Sequence, residues 1–438
     1  MREDIVIIGG GLAGSEAAWQ AAHRGAKVTL YEMRPKEMTK AHKTGDLAEL
    51  VCSNSLGSVD PLNAPGILKA EMRRLNSLVI RAAEEARVPA GSALAVDREI
   101  FARAITQALE GHPNIRIIRE EVTEIPADAV TIIATGPLTS EKLSKAIAEL
   151  THERHLYFFD AISPIIDAES INMDIVYRAS RYGKGGADYL NCPLDEAAYN
   201  ALYDAMMTAE KVQPKEFEKV PYFESCIPIE VMAERGRQTM QFGPLKPVGL
   251  EDPKTGKRPY AVVQLRTENV HGTCYNMVGF QTKLTYPEQR RVFRLIPGLE
   301  QAEFLRLGSL HRNTFINSPQ LLRETLQLKS RGTVFFAGQL VGVEGYTESA
   351  AMGGLAGINV ARGVAGQPLV TPPPTSAHGC LVAHLTKSDP AHFQPMNTNF
   401  GLFPPLSAKT RDKDQKRRLI QQRAVEDFDA WIAQSGLS

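Results

Sequence analysis

The chain has 438 residues, 43% of them hydrophobic and 23% charged, and its 50 Lys and Arg are balanced by 50 Asp and Glu. That length and composition fit a globular chain of two to three domains, and no apolar run approaches the ~20 residues needed to cross a bilayer. The zero formal charge excludes a surface coated in basic groups for nucleic acid, while leaving room for a local basic patch.

The chain enters at once on a short apolar run, Asp4-Ile5-Val6-Ile7-Ile8, which reads as a buried strand. No basic segment, apolar core and cleavage site precede it, so no secretory leader is expected. Gly9-Gly10-Gly11-Leu12-Ala13-Gly14 follows, then a helix pattern of small residues, Ser15 to Ala22, closed by Gly25. Lys27-Val28-Thr29-Leu30-Tyr31 reads as a second strand with Glu32 at its end. This is a dinucleotide-binding frame. Gly9 makes the tight turn, Gly11 lets backbone approach a pyrophosphate, and Gly14 lets helix pack on strand. Gly10, Leu12 and Ala13 complete the turn, and the helix N-terminus offers free N–H groups to phosphate. Glu32 suits a free ribose diol, as in FAD or NAD, and would repel the extra phosphate of NADP.

Residues 39–65 show no helical period and are rich in Ser, Asn, Gly and Pro. This is longer than an ordinary connection and points to a functional or disordered segment. An amphipathic helix is expected over 68–87 and another over 97–110, with strands at 115–119 and 130–133. The second strand ends in Ala134-Thr135-Gly136-Pro137, where Gly136 would bring backbone close to a cofactor. From 156 to 323, aromatic, β-branched and Pro residues rise, and Tyr260 to Leu265 is strand-like. Thr333 to Gln339 returns as a buried strand, and a glycine-rich turn, residues 342–345, leads into a helix of very small residues. The expected fold is therefore α/β: a doubly wound, Rossmann-type domain split in sequence by a smaller α+β insertion. Its expected division is 1–155 and 326–438 for the cofactor, the latter with a basic C-terminal helix, and 156–325 for the substrate.

Several phrases together are more specific than the glycine motif. They are Leu50-Val51-Cys52-Ser53-Asn54-Ser55, Phe159-Asp160-Ala161-Ile162-Ser163-Pro164, Glu224-Ser225-Cys226-Ile227-Pro228-Ile229-Glu230 and Gly338-Gln339-Leu340-Val341-Gly342-Val343-Glu344-Gly345-Tyr346. With the N-terminal turn, they make the chain resemble the folate- and FAD-dependent tRNA uracil-5-methyltransferases, relatives of the GidA flavoproteins. The resemblance implies transfer of a methylene from methylenetetrahydrofolate to a uridine of the tRNA T-loop. FAD is the implied reductant and carrier of the carbon, and NAD(P)H reduces the flavin. It implies cytoplasmic localisation, tRNA and folate as partners, no membrane and no obligate protein partner.

Such chemistry requires a thiolate to add to the uracil ring, a base to remove a proton and a reductant for the one-carbon unit. The chain has five cysteines, Cys52, Cys192, Cys226, Cys274 and Cys380, whose scatter suits neither a disulfide framework nor a metal site. The resemblance makes Cys226 the nucleophile toward uracil and Cys52 the second catalytic cysteine, with base or cofactor-adjacent character. Cys192, Cys274 and Cys380 read as small buried hydrophobes. Gly338 and Gln339 are expected at the cofactor, Gln339 where many flavoproteins have an Asp to the ribityl chain. Tyr346 is placed to stack on the flavin or a pterin. His42, His155 and His311 have no recognisable partner and read as structural. For RNA, the basic candidates are Lys409, Arg411, Lys413, Lys416, Arg417, Arg418 and Arg423 near the C-terminus, and Arg178, Arg181, Lys184, Lys254, Lys257 and Arg258 in the insertion. The same chemistry on a ribosomal uridine is the alternative target.

Overall fold

The computed structural model describes residues 5–39, 41–152, 156–161, 163–184, 186–212, 227–269, 272–308, 310–391, 393–406 and 412–437. The opening strand Ile5–Ile8 is parallel to Val28–Tyr31 on one side and Thr131–Ile133 on the other. Ile115–Ile118 and Val334–Phe336 complete a five-stranded parallel sheet, with the late strand at one edge, beside Thr131–Ile133. Parallel strands need their crossovers packed on a face. The first crossover is the helix Leu12–His23, buried along its length, and Tyr346–Val364 packs directly on it. The two helices touch because Gly353 and Gly357 of one face Ala13 and Ala17 of the other, leaving no room for larger side chains.

Between these halves lies a second sheet, six antiparallel strands in the order Tyr177–Ala179, Tyr189–Leu194, Ala261–Thr267, Cys274–Met277, Ile165–Asp167, Phe304–Arg306. It has its own hydrophobic core, built around Cys192, Tyr199, Val263, Phe280 and Phe293, separate from the core around the parallel sheet. The chain enters and leaves it along a two-stranded antiparallel ribbon, Leu156–Ala161 paired with Leu310–Phe315. A small three-stranded sheet, Ser55–Ser58, Ala93–Val96 and Arg87–Val88, sits beside the parallel sheet. Among the described residues, no helix is long and apolar enough to cross a membrane.

The expected helix over 68–87 is two helices, Ala64–Arg74 and Leu78–Glu85. Asn76 between them takes a left-handed conformation, and Ser77 caps the second helix by accepting from the Ile80 amide. The break is held from outside: Trp19 donates its indole N–H to the Asn76 carbonyl, while the Glu16 carboxylate accepts from Ser77 Oγ and the Val79 amide. Amphipathic period alone does not reveal such a break, because apolar spacing continues across it. The segment 39–65 also holds more structure than its composition suggests, including the strand Ser55–Ser58 and the start of the helix Ala64–Arg74.

Candidate active site

The largest concavity opens at the carboxyl ends of the parallel strands, where a doubly wound sheet binds ligands. Gly9, Gly11, Leu12, Ala13, Glu32, Gly136, Gly338, Gln339 and Tyr346 all line it. Gly9 has φ +102, and a Cβ there would lie 2.7 Å from the Ala134 carbonyl oxygen. A Cβ on Gly14 would sit 1.8 Å from the Gly9 carbonyl, so this glycine lets the helix fold back on the turn. At Gly11, by contrast, a Cβ would meet no protein atom within 4 Å: the backbone here faces open space. Gly11 is the N-cap and brings no side chain to the first amides of Leu12–His23, leaving them for a ligand. A pyrophosphate fits this cradle.

Gly10 departs from the expectation. It does not line the cavity, because its amide donates to Glu32 Oε2 at 2.8 Å, and so it braces the acidic residue instead of meeting a ligand. Glu32 is 6% exposed, and its Oε1 accepts from the Arg34 amide and guanidinium at 3.0 and 2.9 Å. Arg34 reaches on to Glu49 at 3.1 Å. Burial by itself would raise the Glu32 carboxyl, but Arg34 and the two amides outweigh it and hold the group below its usual range. A carboxylate keeps acceptor capacity beyond these bonds, enough for a ribose diol.

His42 also lines the cavity, with Nδ1 2.6 Å from Thr39 Oγ1. Burial and nearby Arg34 bring its imidazole down to about 4, so it is neutral at physiological pH. The sequence offered no partner for His42, and Arg34, Glu49 and Val122 on the same wall were also missed. Met33-Arg34 directly after the acidic strand end was the available signal for Arg34.

Cys52 is half-buried on the loop next to this cavity, whose wall includes its neighbour Val51. Tyr346 Oη accepts from the amides of Cys52 and Ser53 at 2.7 and 3.2 Å. Arg98 donates to the carbonyls of Leu50 and Cys52 at 2.8 and 3.1 Å while paired with Glu268 at 2.8 Å. Asn54 is fully buried; it donates to the carbonyls of Val96 and Thr267 and accepts from Arg266, which also donates to Ser53 Oγ. The loop therefore lies where the two sheets meet, fastened to both.

Cys226 lies outside the described residues. The chain that follows it, from Ile227, is buried in the insertion, where Glu230 accepts from the Lys283 amide and Thr282 Oγ1 at 2.6 and 2.9 Å. Cys192 and Cys380 are buried as expected, and burial pushes both thiols well up. Cys274 is half-buried rather than buried, its thiol pushed up to about 11, chiefly by desolvation.

The basic candidates divide. Arg181 is spent on the carbonyls of Lys246 and Val248, Lys254 on those of Met173, Asp174 and Val176, and Arg423 on Pro404 and Pro405. Arg178 donates to Tyr275. Lys184, Lys257, Arg258, Lys416 and Arg418 are exposed, the last two on the helix Lys413–Ser435, while Lys409 and Arg411 lie outside the described residues.

Known proteins match this arrangement along its length. The family model described as glucose inhibited division protein A matches residues 4–368. The chain is 60% identical over 430 residues to the methylenetetrahydrofolate–tRNA-(uracil-5-)-methyltransferase TrmFO of Geobacter sulfurreducens, covering 98% of this chain and 99% of that one. It is 57% identical to the protein of the same name from Aquifex aeolicus, covering 100% and 98%. Among solved structures, Aquifex aeolicus GidA superposes with a TM-score of 0.73 at 19% identity, over 100% of this chain and 74% of that one, a likeness of fold.

Proposed function

The chain belongs to the glucose inhibited division protein A family, and from its full-length likeness to the TrmFO proteins we infer that it is a methylenetetrahydrofolate- and FAD-dependent tRNA uracil-5-methyltransferase. The observation that carries the reading from this chain's own geometry is the Cys52 loop, stapled to the rim of a cavity shaped for a dinucleotide. A metabolite oxidoreductase needs no such cysteine.

The cradle at Gly9, Gly11 and Gly14 and the buried carboxylate of Glu32 fit FAD. The helix N-terminus at Leu12 would hold its phosphates, and Glu32 its adenosine ribose. Gly136, Gly338, Gln339 and Tyr346 stand on the opposite wall, toward the ring system. When bound, FAD supplies the electrons that turn the transferred methylene into a methyl group. The protein must activate the uracil. A thiolate adds to the ring carbon next to the accepting one, forming a carbon–sulfur bond that makes the acceptor enolate-like. Cys226 takes this part in the reading. After attack on the one-carbon unit, a proton leaves the accepting carbon and the carbon–sulfur bond breaks. Cys52 serves that later stage, as base or at the cofactor.

Residues 1–155 and 326–438 are assigned to the flavin and 156–325 to the RNA. Exposed Lys184, Lys257 and Arg258 give the insertion cations for phosphate contacts. A T-loop uridine must be extruded to reach the cavity, at a cost of a few kcal/mol. NAD(P)H is the reductant assigned to the flavin, and the cytoplasm is the compartment. The deciding experiment mixes the purified protein with unmodified tRNA, labelled methylenetetrahydrofolate and NADPH. Label in ribothymidine at the T-loop is expected. Label found only in ribosomal RNA, or none in any uridine, would refute the assignment.

A further inference from the structure

Tyr346 is the first residue of the helix Tyr346–Val364, and its ring lines the cavity. A phenol oxygen accepts through its lone pairs and donates one proton. Here two donors, the amides of Cys52 and Ser53, already point at the oxygen, at 2.7 and 3.2 Å. The neighbouring Arg98 guanidinium, which grips the Cys52 carbonyl, is a donor as well. Among the described residues, nothing accepts the Tyr346 proton. A buried hydroxyl whose surroundings are all donors is costly unless its own proton also finds an acceptor. The free direction is the cavity.

We propose that Tyr346 is a dedicated hydrogen-bond donor to the ring system that binds beside Cys52. Its oxygen seats the Cys52 loop, and its proton is presented to a carbonyl oxygen of a bound heterocycle. The inference rests on the functional reading above, which supplies two such acceptors, the flavin and the target uracil. In the uracil, addition of a thiolate places negative charge on a carbonyl oxygen, and a donor fixed in advance by two backbone amides stabilises that charge without reorganising. Loop and donor share one atom, so the thiol and the hydrogen bond arrive in register.

The test uses the full-length, flavin-loaded protein in two forms, Tyr346→Phe and a variant carrying 3,5-difluorotyrosine at 346. The first removes the oxygen and keeps the ring. The second keeps the oxygen and both of its amide partners but makes the phenol more acidic. Tyr346→Phe should retain FAD and its KM for tRNA while kcat falls about 100-fold. The difluorotyrosine form should turn over with the alkaline limb of its kcat profile moved to lower pH, which a purely structural tyrosine would not do. A shift of the bound flavin's absorption bands in both forms, without tRNA, assigns the acceptor to the flavin; unchanged bands with altered kcat assign it to the uracil. Wild-type kcat in Tyr346→Phe, loss of turnover only through loss of FAD, or a difluorotyrosine pH profile superimposed on that of wild type would each overturn the proposal. If the wild-type protein methylates no tRNA, the functional reading fails instead. The proposal is then judged by the flavin bands and by alkylation of Cys52, which should quicken in Tyr346→Phe as the loop loses its anchor. Unaltered bands and alkylation in that case would sink it too.

Discussion

Replacing Gly353 by Ala should damage the protein although it adds a single methyl group. A Cβ at 353 would lie 2.2 Å from the Ala13 carbonyl oxygen and 2.6 Å from Ala13 Cα, where ordinary contact begins at 3.4 Å. Both opposing atoms are backbone, so no side chain can swing aside, and the two helices must separate by roughly 1 Å. Overpacking of this kind costs about 1–3 kcal/mol, and the intrinsic preference of Ala over Gly in a helix returns at most about 1 kcal/mol. A net loss of about 2 kcal/mol lowers Tm by roughly 4–8 °C in a domain of this size. The damage also reaches the cofactor, because Ala13 lies on the wall of the dinucleotide cavity. Gly354→Ala is the internal control: its Cβ would meet Glu16 Cγ at 3.4 Å, so the helix preference should prevail and Tm should hold or rise. Thermal unfolding, with FAD content read from the 450 nm band, checks both variants. Equal Tm and equal FAD content in Gly353→Ala and Gly354→Ala would refute the close helix contact.

Three further outcomes are expected. Glu32 is held below its usual 4.5, so its ionised form contributes stability that is fully present above that pH and is lost as the pH falls through the lower folded value. The stability gap between wild type and Glu32→Gln should therefore be flat above pH 5 and close in stronger acid, as denaturant titration across pH will show; a gap that widens in acid contradicts this sign. Arg98→Ala leaves Glu268, 3% exposed, without its cation and strips two loop carbonyls of a donor. A loss of about 3–5 kcal/mol is expected, and a denaturation midpoint close to wild type would disprove it. Iodoacetamide on the folded protein should modify Cys52 while sparing Cys192 and Cys380, which are 0% and 1% exposed; peptide mass spectrometry that finds Cys192 modified first would contradict the packing.

What could be read from the sequence was what is local. Strand, glycine turn, helix and acidic strand end fall within residues 5–32, and each is dictated by neighbours a few positions away, so the cofactor cradle emerged nearly whole. Gly10 was the exception, because its amide turns to a carboxylate 22 residues on. The staples of the Cys52 loop were invisible for a similar reason. Asn54 meets Thr267 across 213 positions, and Cys52 meets Tyr346 across 294. No periodicity couples such distant residues; only the meeting of two separately folded cores does. Arg98 looked like an ordinary first-turn helix residue, and His42 like a structural histidine, because what defines each is the partner or the space it faces.

The ribbon that joins the two sheets has a consequence for engineering. Ala161 stands opposite Leu310 in its register, so the ends left by excising everything between them already face each other, and a tight turn would reconnect them. Topologically the insertion is detachable. Energetically it is not: a shortened protein would strand the Asn54 amide and the Arg98 guanidinium, both of which find partners at 266–268. Such a minimal flavoprotein is a design problem in replacing three lost contacts, and a linker alone will not solve it.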